Sequence, residues 1–420
     1  MNRALLITVG TGIGAEKEEA IKSLAHGIVA SIRNSNPDYI VFIVTEESKT
    51  GTIPEIKNQY PELPDNEPVL IKDMNDVNSI YQEITEKIKE LKSRKYDVVI
   101  DFTSGTKAMS ASAVLAATSE AVMLSYVSGK RIGGKVVKGE EQVLSYSPVK
   151  GIVDFQGKIL KELFNTYQYE SCLEIIRRIG EMTSDPYVVE KLSRYRQLAE
   201  GYSLWDKFEH KKALEILRTF DNSLVNIEEN KRTMFSMEKR EYKDYRLLIS
   251  DLMNNTRRRM EEGKYDDAVA RLYRTIELIA QIRLKELGLI DKKKLKDNRV
   301  FTIVLRDLEK KLDSEIIENY KKGQRQDDLN KGLIKLGLSK DYDLLADLDD
   351  ELGKKFMEDS KEPEKLQNLL NARNSSILAH GLEPVEKDTA KELFDAVKVY
   401  AKIVLPELDE LMEEARFPKL

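Results

Sequence analysis

Arg373 and His380 are the residues of this chain best placed for chemistry. They lie in Asn371-Ala372-Arg373-Asn374-Ser375-Ser376-Ile377-Leu378-Ala379-His380-Gly381, between Gln367 and Pro384. The apolar rhythm Leu366, Leu369, Leu370, Ile377, Leu378 predicts a helix that stops at Gly381, with Pro384 beyond it. A seven-residue spacing is nearly two turns, so both side chains are expected on one face, drifted by ~20° and roughly 10 Å apart along the axis. Arginine never loses its proton, whereas histidine titrates near neutrality. Such a pair can cleave a phosphodiester without a metal. Arg373 would hold the charged phosphorus centre, and His380 would move a proton to or from the attacking 2′-OH or the leaving 5′-oxygen. Asn374 flanks the pair. The same spacing also arises on ordinary solvated faces, so the elements around it decide between the two readings.

The 420 residues, 41% apolar and 34% charged, are enough for two or three domains with cores of their own. No apolar run reaches the ~18 residues that a membrane span requires. The opening Met-Asn-Arg-Ala-Leu-Leu-Ile-Thr-Val-Gly reads as a strand and loop rather than a secretory signal. The single cysteine, Cys172, excludes an internal disulfide and a cysteine metal cluster, and a cytoplasmic protein is expected. A net charge of −5 disfavours an obligate nucleic-acid coat and leaves room for a local basic site.

Residues 1–150 alternate strands with helices. Apolar runs at 4–10, 39–44, 96–102 and 122–127 read as buried parallel strands, and 16–34, 80–91 and 108–119 carry helical periodicity. A doubly wound, mostly parallel sheet follows. Two strand-to-helix loops stand out, Gly10-Thr11-Gly12-Ile13-Gly14 and Thr103-Ser104-Gly105-Thr106-Lys107. Ligands of such sheets sit at the carboxyl ends of the strands, where backbone N–H groups and helix N-termini favour phosphate. Neither loop is a dinucleotide fingerprint or a Walker loop, which removes those two readings. Gly129–Gly139, basic and glycine-rich, reads as a hairpin at the sheet edge ahead of Gln142–Tyr146.

Asp101-Phe102-Thr103-Ser104-Gly105-Thr106-Lys107-Ala108-Met109, together with the first Gly/Thr loop, resembles the CRISPR-associated Rossmann fold, CARF. The resemblance implies binding of a cyclic oligoadenylate across a dimer two-fold. Val9, Gly10, Thr11 and Gly12 would line one side and Thr103, Ser104, Gly105, Thr106 and Lys107 the other, with Thr11 a contributor to positioning.

Helical patterns take over after Pro148. In residues 151–240, Tyr167 to Ile176 echoes Phe208 to Leu217 at an offset of 41, similar to the packing code of tetratricopeptide hairpins. Trp205 is expected to pack and His210 to lie at the surface. Residues 241–420 read almost wholly as helix, with a strong amphipathic segment through Ala268, Leu272, Ile276, Ile279 and Ile282. The acidic stretch from Asp341 to Glu351 is expected to lie away from any RNA cleft, and one last helix, Ala390 to Glu414, to close the bundle.

Arg373-Asn374 followed by Ala379-His380-Gly381 resembles the R-x4–6-H motif of HEPN ribonucleases, and Gly263 to Arg274 resembles their first helix. Arg271 and Arg274 share a face there and could reach RNA phosphate. The combined resemblance is to the CARF–HEPN ancillary proteins of type III CRISPR systems. It implies an α/β plus all-α architecture: a Rossmann-like parallel sheet over 1–150, a helical connector with repeat-like hairpins over 151–240, and a HEPN helical bundle over 241–420. It further implies a homodimeric, metal-independent endoribonuclease that cuts single-stranded RNA in antiviral defence, with no membrane partner and no cofactor. A cyclic oligoadenylate of four or six units would serve as allosteric activator. The competing reading is a nucleotide-sensing regulatory or scaffold protein without nuclease activity.

Overall fold

The computed structural model describes residues 2–12, 16–132, 135–136, 139–183, 185–240, 245–293, 295, 301–361, 370–371, 376 and 381–420. The chain forms two compact units. One comprises Met1–Lys158 with Arg178–Val189, the other Ile159–Arg177 with Glu190–Leu420.

The first unit is built on the chain order β1 (Arg3–Val9), α1 (Lys17–Ser35), β2 (Tyr39–Val44), α2 (Glu46–Gln59), β3 (Asp65–Leu70), α3 (Val77–Ser93), β4 (Asp97–Asp101), α4 (Lys107–Glu120), β5 (Met123–Ser128), β6 (Arg131–Ile132), β7 (Lys135–Val136) and β8 (Gln142–Tyr146). The six-stranded sheet runs β3-β2-β1-β4-β5-β8, parallel throughout except for β8, which returns antiparallel to β5. β6 and β7 pair antiparallel as the expected hairpin. Because strand side chains alternate, β1 feeds both layers. Ala4 and Leu6 pack with Ile80, Ile84 and Ile88 of α3 and Ala113 of α4, whereas Leu5, Ile7 and Val9 pack with Ile28 and Ile32 of α1 and Ile56 of α2. Sequence reading missed α2 and β3. α2 carries Gly51 and Pro54 and has little apolar periodicity, and β3 (Asp-Asn-Glu-Pro-Val-Leu) is a polar edge strand with an internal proline.

Helices α5 (Val149–Asn165), α6 (Tyr169–Met182), α7 (Pro186–Asp206), α8 (His210–Leu217), α9 (Glu228–Arg240), α10 (Arg246–Glu261) and α11 (Tyr265–Glu286) follow. The echo at offset 41 is a repeated helix stop. Tyr167 N–H donates to Phe164 C=O and Gln168 N–H to Leu163 C=O, and Phe208 and Glu209 repeat the pattern onto Trp205 and Leu204. Tyr167 and Phe208 both take the left-handed conformation, φ 62° and 60°, as a Schellman-type turn demands. Cys172 and Ala213, equivalent in the echo, are both buried. Trp205 is fully buried, as expected. His210 is not a surface residue: its side chain is 16% exposed, with Nε2 2.7 Å from Asp251 Oδ2, while Asp251 Oδ1 accepts the Trp205 indole N–H at 3.0 Å.

The C-terminal core gathers on α11 through Val269, Leu272, Ile276 and Ile279, against the Leu338–Asp347, Glu351–Lys361 and Lys387–Val404 helices. The expected last helix is two, Lys387–Val404 and Leu408–Glu414, interrupted where Pro406 removes a backbone donor. A two-stranded antiparallel pair, Ile303–Val304 with Leu333–Ile334, interrupts the otherwise helical region.

Within the acidic stretch, Asp341 points inward. It is 3% exposed and its Oδ2 is buried without a hydrogen bond. Burial first, then the nearby Glu277 carboxylate, pushes its pKa up to about 8, against a smaller opposing effect of Arg274. A carboxyl raised in the folded state favours folding most below the ordinary aspartate value of ~3.9, and that contribution is lost as the pH rises towards 8. Asp341→Asn should therefore raise the thermal midpoint by several degrees at pH 9 and by much less at pH 4.5. A gain independent of pH in thermal melts would contradict this.

Candidate functional site

β1 and β4 are neighbours in register, Ile7 beside Asp101. The strand order reverses at β1, with β2 and β3 to one side and β4 and β5 to the other. Loops leaving two such strands must part around a crevice. The crevice is a cavity of about 340 Å³ lined by Val9, Gly10, Thr11 and Gly12 from the first loop and Thr103, Ser104, Gly105 and Thr106 from the second. The structure thus brings together eight of the nine residues expected there. Lys107 is the exception. It is the first residue of α4, is exposed, and does not line the cavity.

Much of the polar chemistry of these loops builds the cavity rather than facing it. The Gly10 N–H donates to Ser104 Oγ at 2.9 Å, the Thr8 hydroxyl donates to the Ser104 carbonyl, and the Thr52 hydroxyl donates to the Gly10 carbonyl at 2.7 Å. Asp101 is fully buried and accepts from Thr103 N–H (2.9 Å), Ser31 Oγ (2.5 Å) and Ser125 Oγ (3.0 Å). A buried carboxylate with three donors is satisfied, and it fixes where the second loop starts. Thr103 Oγ1 accepts the Val127 N–H at 2.7 Å, and Thr106 caps α4 by accepting the Met109 N–H at 3.2 Å. The Thr11 hydroxyl has no partner among the described residues and remains available. With the opening N–H groups of α4, it makes the cavity suited to an anion.

Two glycines explain how closely the loops approach. A Cβ on Gly10 would lie 3.0 Å from Gly105 N and 3.1 Å from its Cα, backbone against backbone. Gly12, at φ 81°, would place a Cβ 2.6 Å from the Ala20 carbonyl oxygen.

Tertiary structure adds wall residues that sequence reading did not single out: Thr45 and Glu47 from the start of the missed α2, Met74, and Glu141. Two of these are carboxylates in a cavity suited to anions, the exposed Glu47, which pairs with Lys17, and the more deeply buried Glu141. Glu141 Oε2 accepts the Gly139 N–H at 2.7 Å, and His26 Nε2 lies 3.0 Å from Oε1, without hydrogen-bond alignment. Burial acts to raise this carboxyl, but the backbone N–H groups of Glu141 and Gly139, together with His26, hold it below the usual carboxylate range.

In the second unit Arg373, Asn374 and His380 lie outside the described residues. Their flanks are anchored. Leu370 and Val385 belong to the core around α11. Val385 N–H donates to Asp266 Oδ2 in the first turn of α11 at 3.2 Å. Ser376 is buried, forms a parallel bridge with Glu383, and accepts the Gly381 N–H at 3.2 Å. The predicted helix therefore does not include Ser376, and Arg373 and His380, whose shared face it was to set, lie outside the described residues. Arg271 is held by Asn255 and Asp267, and Arg274 by Glu277 and Gln281 at 3.0 Å each. Both arginines are engaged within the fold.

A family model described as the Csm6 HEPN domain matches residues 237–404, and one described as the Csm6 6H domain matches residues 154–248. Among solved structures the chain is similar to Enterococcus italicus Csm6 bound to cyclic hexa-2′-fluoro-hexa-dAMP, at 15% identity and a TM-score of 0.64, covering 99% of this chain and 98% of that one. A type III CRISPR defence DNA nuclease activated by cyclic oligoadenylate aligns at 12% identity and a TM-score of 0.26, over 47% of this chain and 34% of that one, too weakly to bear on the fold. No curated protein sequence matches.

Proposed function

We propose, from the premise that this chain belongs to the CARF–HEPN ancillary proteins of type III CRISPR systems, that it is a ribonuclease switched on by a cyclic oligoadenylate. The observation that carries the proposal is the convergence of both βα loops on one cavity at the strand-order reversal, in a chain whose C-terminal part matches a HEPN model. The ring's phosphates would be met by the α4 N-terminus and Thr11, and Gly10, Gly12 and Gly105 would let backbone approach them. A ring larger than one cavity fits a homodimer in which two such cavities face each other across a two-fold.

In the second unit, Arg373 would hold the scissile phosphate and stabilise the charge that grows on it. His380 would transfer the proton of the 2′-OH or of the leaving 5′-oxygen, and Asn374 would help place the phosphate. Attack by the 2′-OH forms a new P–O2′ bond as the P–O5′ bond breaks, leaving a cyclic phosphate and a 5′-hydroxyl. Each proton in that balance is one that histidine can carry, so the reaction requires no metal. Arg271 and Arg274 would contact RNA only after leaving their present partners.

The test is cleavage of a fluorogenic single-stranded RNA in EDTA, with and without cyclic tetra- and hexa-adenylate. Cleavage with one ring and not the other is the expected result, and it identifies the activator. Tight binding of a ring with no cleavage under any condition would replace this reading with a sensor that acts through a partner.

A further inference from the structure

Arg257, Arg258 and Arg259 are consecutive on α10 and have different surroundings. Arg258 pairs with Asp206 at 2.7 Å and stacks on Phe417, with Cζ 3.7 Å from the ring centre. Arg259 pairs with Asp206 at 2.7 Å and with Glu262 at 2.9 Å. Arg257 has no hydrogen bond or ion pair among the described residues. It lines an open groove of about 650 Å³ where the α10–α11 turn meets the Lys387–Val404 helix. Lys387, the first residue of that helix, lines the same groove and is likewise without a partner among the described residues. Two half-buried aromatic side chains, Tyr265 and Phe394, line the same groove.

The groove's two carboxylates are engaged by groups other than Arg257 and Lys387. Glu262 is committed to Arg259 and to Lys264 at 2.9 Å, and Glu261 accepts the Tyr167 hydroxyl at 2.5 Å with Lys419 at 4.0 Å. Two cations without a partner among the described residues therefore share the groove with two aromatic rings. That combination suits a strand with a charged backbone and planar bases, with cations on phosphates and rings under bases. The groove also adjoins the flank of the Arg373–His380 segment. Tyr265 precedes Asp266, which holds Val385, and Lys387 lies two residues beyond Val385.

We infer that this groove is a binding track for single-stranded RNA, in which Arg257 and Lys387 hold phosphates and Tyr265 and Phe394 stack bases leading to or from the cleavage point. The inference deepens the ribonuclease reading by assigning a substrate subsite, and its test does not depend on cleavage. The probe is a labelled single-stranded RNA with 2′-O-methyl groups throughout, which blocks 2′-OH attack, titrated against the full-length protein by fluorescence anisotropy at several salt concentrations. Arg257→Ala with Lys387→Ala should weaken binding about tenfold at low salt and reduce the slope of log K against log[salt] by about 1.4, two contacts at ~0.7 each. Arg257→Lys should restore most of that slope, which a merely structural role would not predict. Tyr265→Leu, which keeps apolar bulk, should weaken binding roughly fivefold or more at every salt concentration without changing the slope. Wild-type binding with an unchanged slope in the double variant would overturn the track while leaving the nuclease reading intact. Failure of the wild type to bind the probe would also overturn the track, whatever the cleavage assay shows. Loss of self-association in the double variant, with RNA binding retained, would reassign the groove to contact between copies of this chain.

Discussion

His380→Ala should lower activator-dependent RNA cleavage by about a hundred- to ten-thousandfold, the span that a positioned general acid or base contributes. Binding of the cyclic oligoadenylate should be unchanged, because every residue lining the cavity between the two loops belongs to the first unit. Arg373→Ala should fall as far, and Arg373→Lys should recover little, because a point-charge ammonium does not reproduce the planar fork of a guanidinium at a phosphate. Single-turnover cleavage with saturating activator is the measurement to use, since it separates chemistry from ring binding. Full activity in both alanine variants would remove the pair from the mechanism. It would also return attention to the anchored flanks at Ser376, Gly381 and Val385.

The second large effect is expected in the first unit. Gly12→Val should abolish useful activator binding, weakening it by about a hundredfold or more. Two causes add. Gly12 has φ 81°, which a β-branched residue resists, and its Cβ would meet the Ala20 carbonyl oxygen at 2.6 Å. That neighbour is α1 backbone, so relief means displacing the loop. Overpacking of this kind costs about 3 kcal/mol, or roughly two decades of affinity if the loop moves out of the cavity. Gly10→Ala should weaken binding less, because 3.0 Å from Gly105 N asks for a smaller shift. Gly157→Ala, with nothing within 4 Å of the added Cβ, is the control that should bind normally. Calorimetric titration with the ring that activates cleavage would report all three. Wild-type affinity in Gly12→Val would mean that the ligand does not use this cavity.

The sequence by itself determined four of the five parallel strands, the two loops that follow β1 and β4, and the helical character of the C-terminal half. It also determined the repeat at offset 41, because these are local properties. A buried strand has to be a short apolar run, a helix in a core has to repeat near 3.6 residues, and Tyr167 and Phe208 stop their helices by the same short-range hydrogen bonds. Where a segment's reason for being lay elsewhere in the fold, reading along the chain failed. α2 lacks strong periodicity, β3 is a polar edge strand, and Ser376 is bridged to Glu383.

Only the tertiary structure decided which of the chemically suitable residues are available. Pairing β1 with β4 brought loops more than ninety positions apart into one cavity and left Lys107 outside it. Packing buried Asp341, one acid of a stretch that looks uniform along the chain. Of three consecutive arginines on α10, the distant Asp206 carboxylate took Arg258 and Arg259, and Arg257 has no hydrogen bond or ion pair among the described residues. The reason is the same in each case. Secondary structure follows from neighbours along the chain, but burial and ion pairing follow from neighbours in space, and those depend on how the elements are ordered and packed.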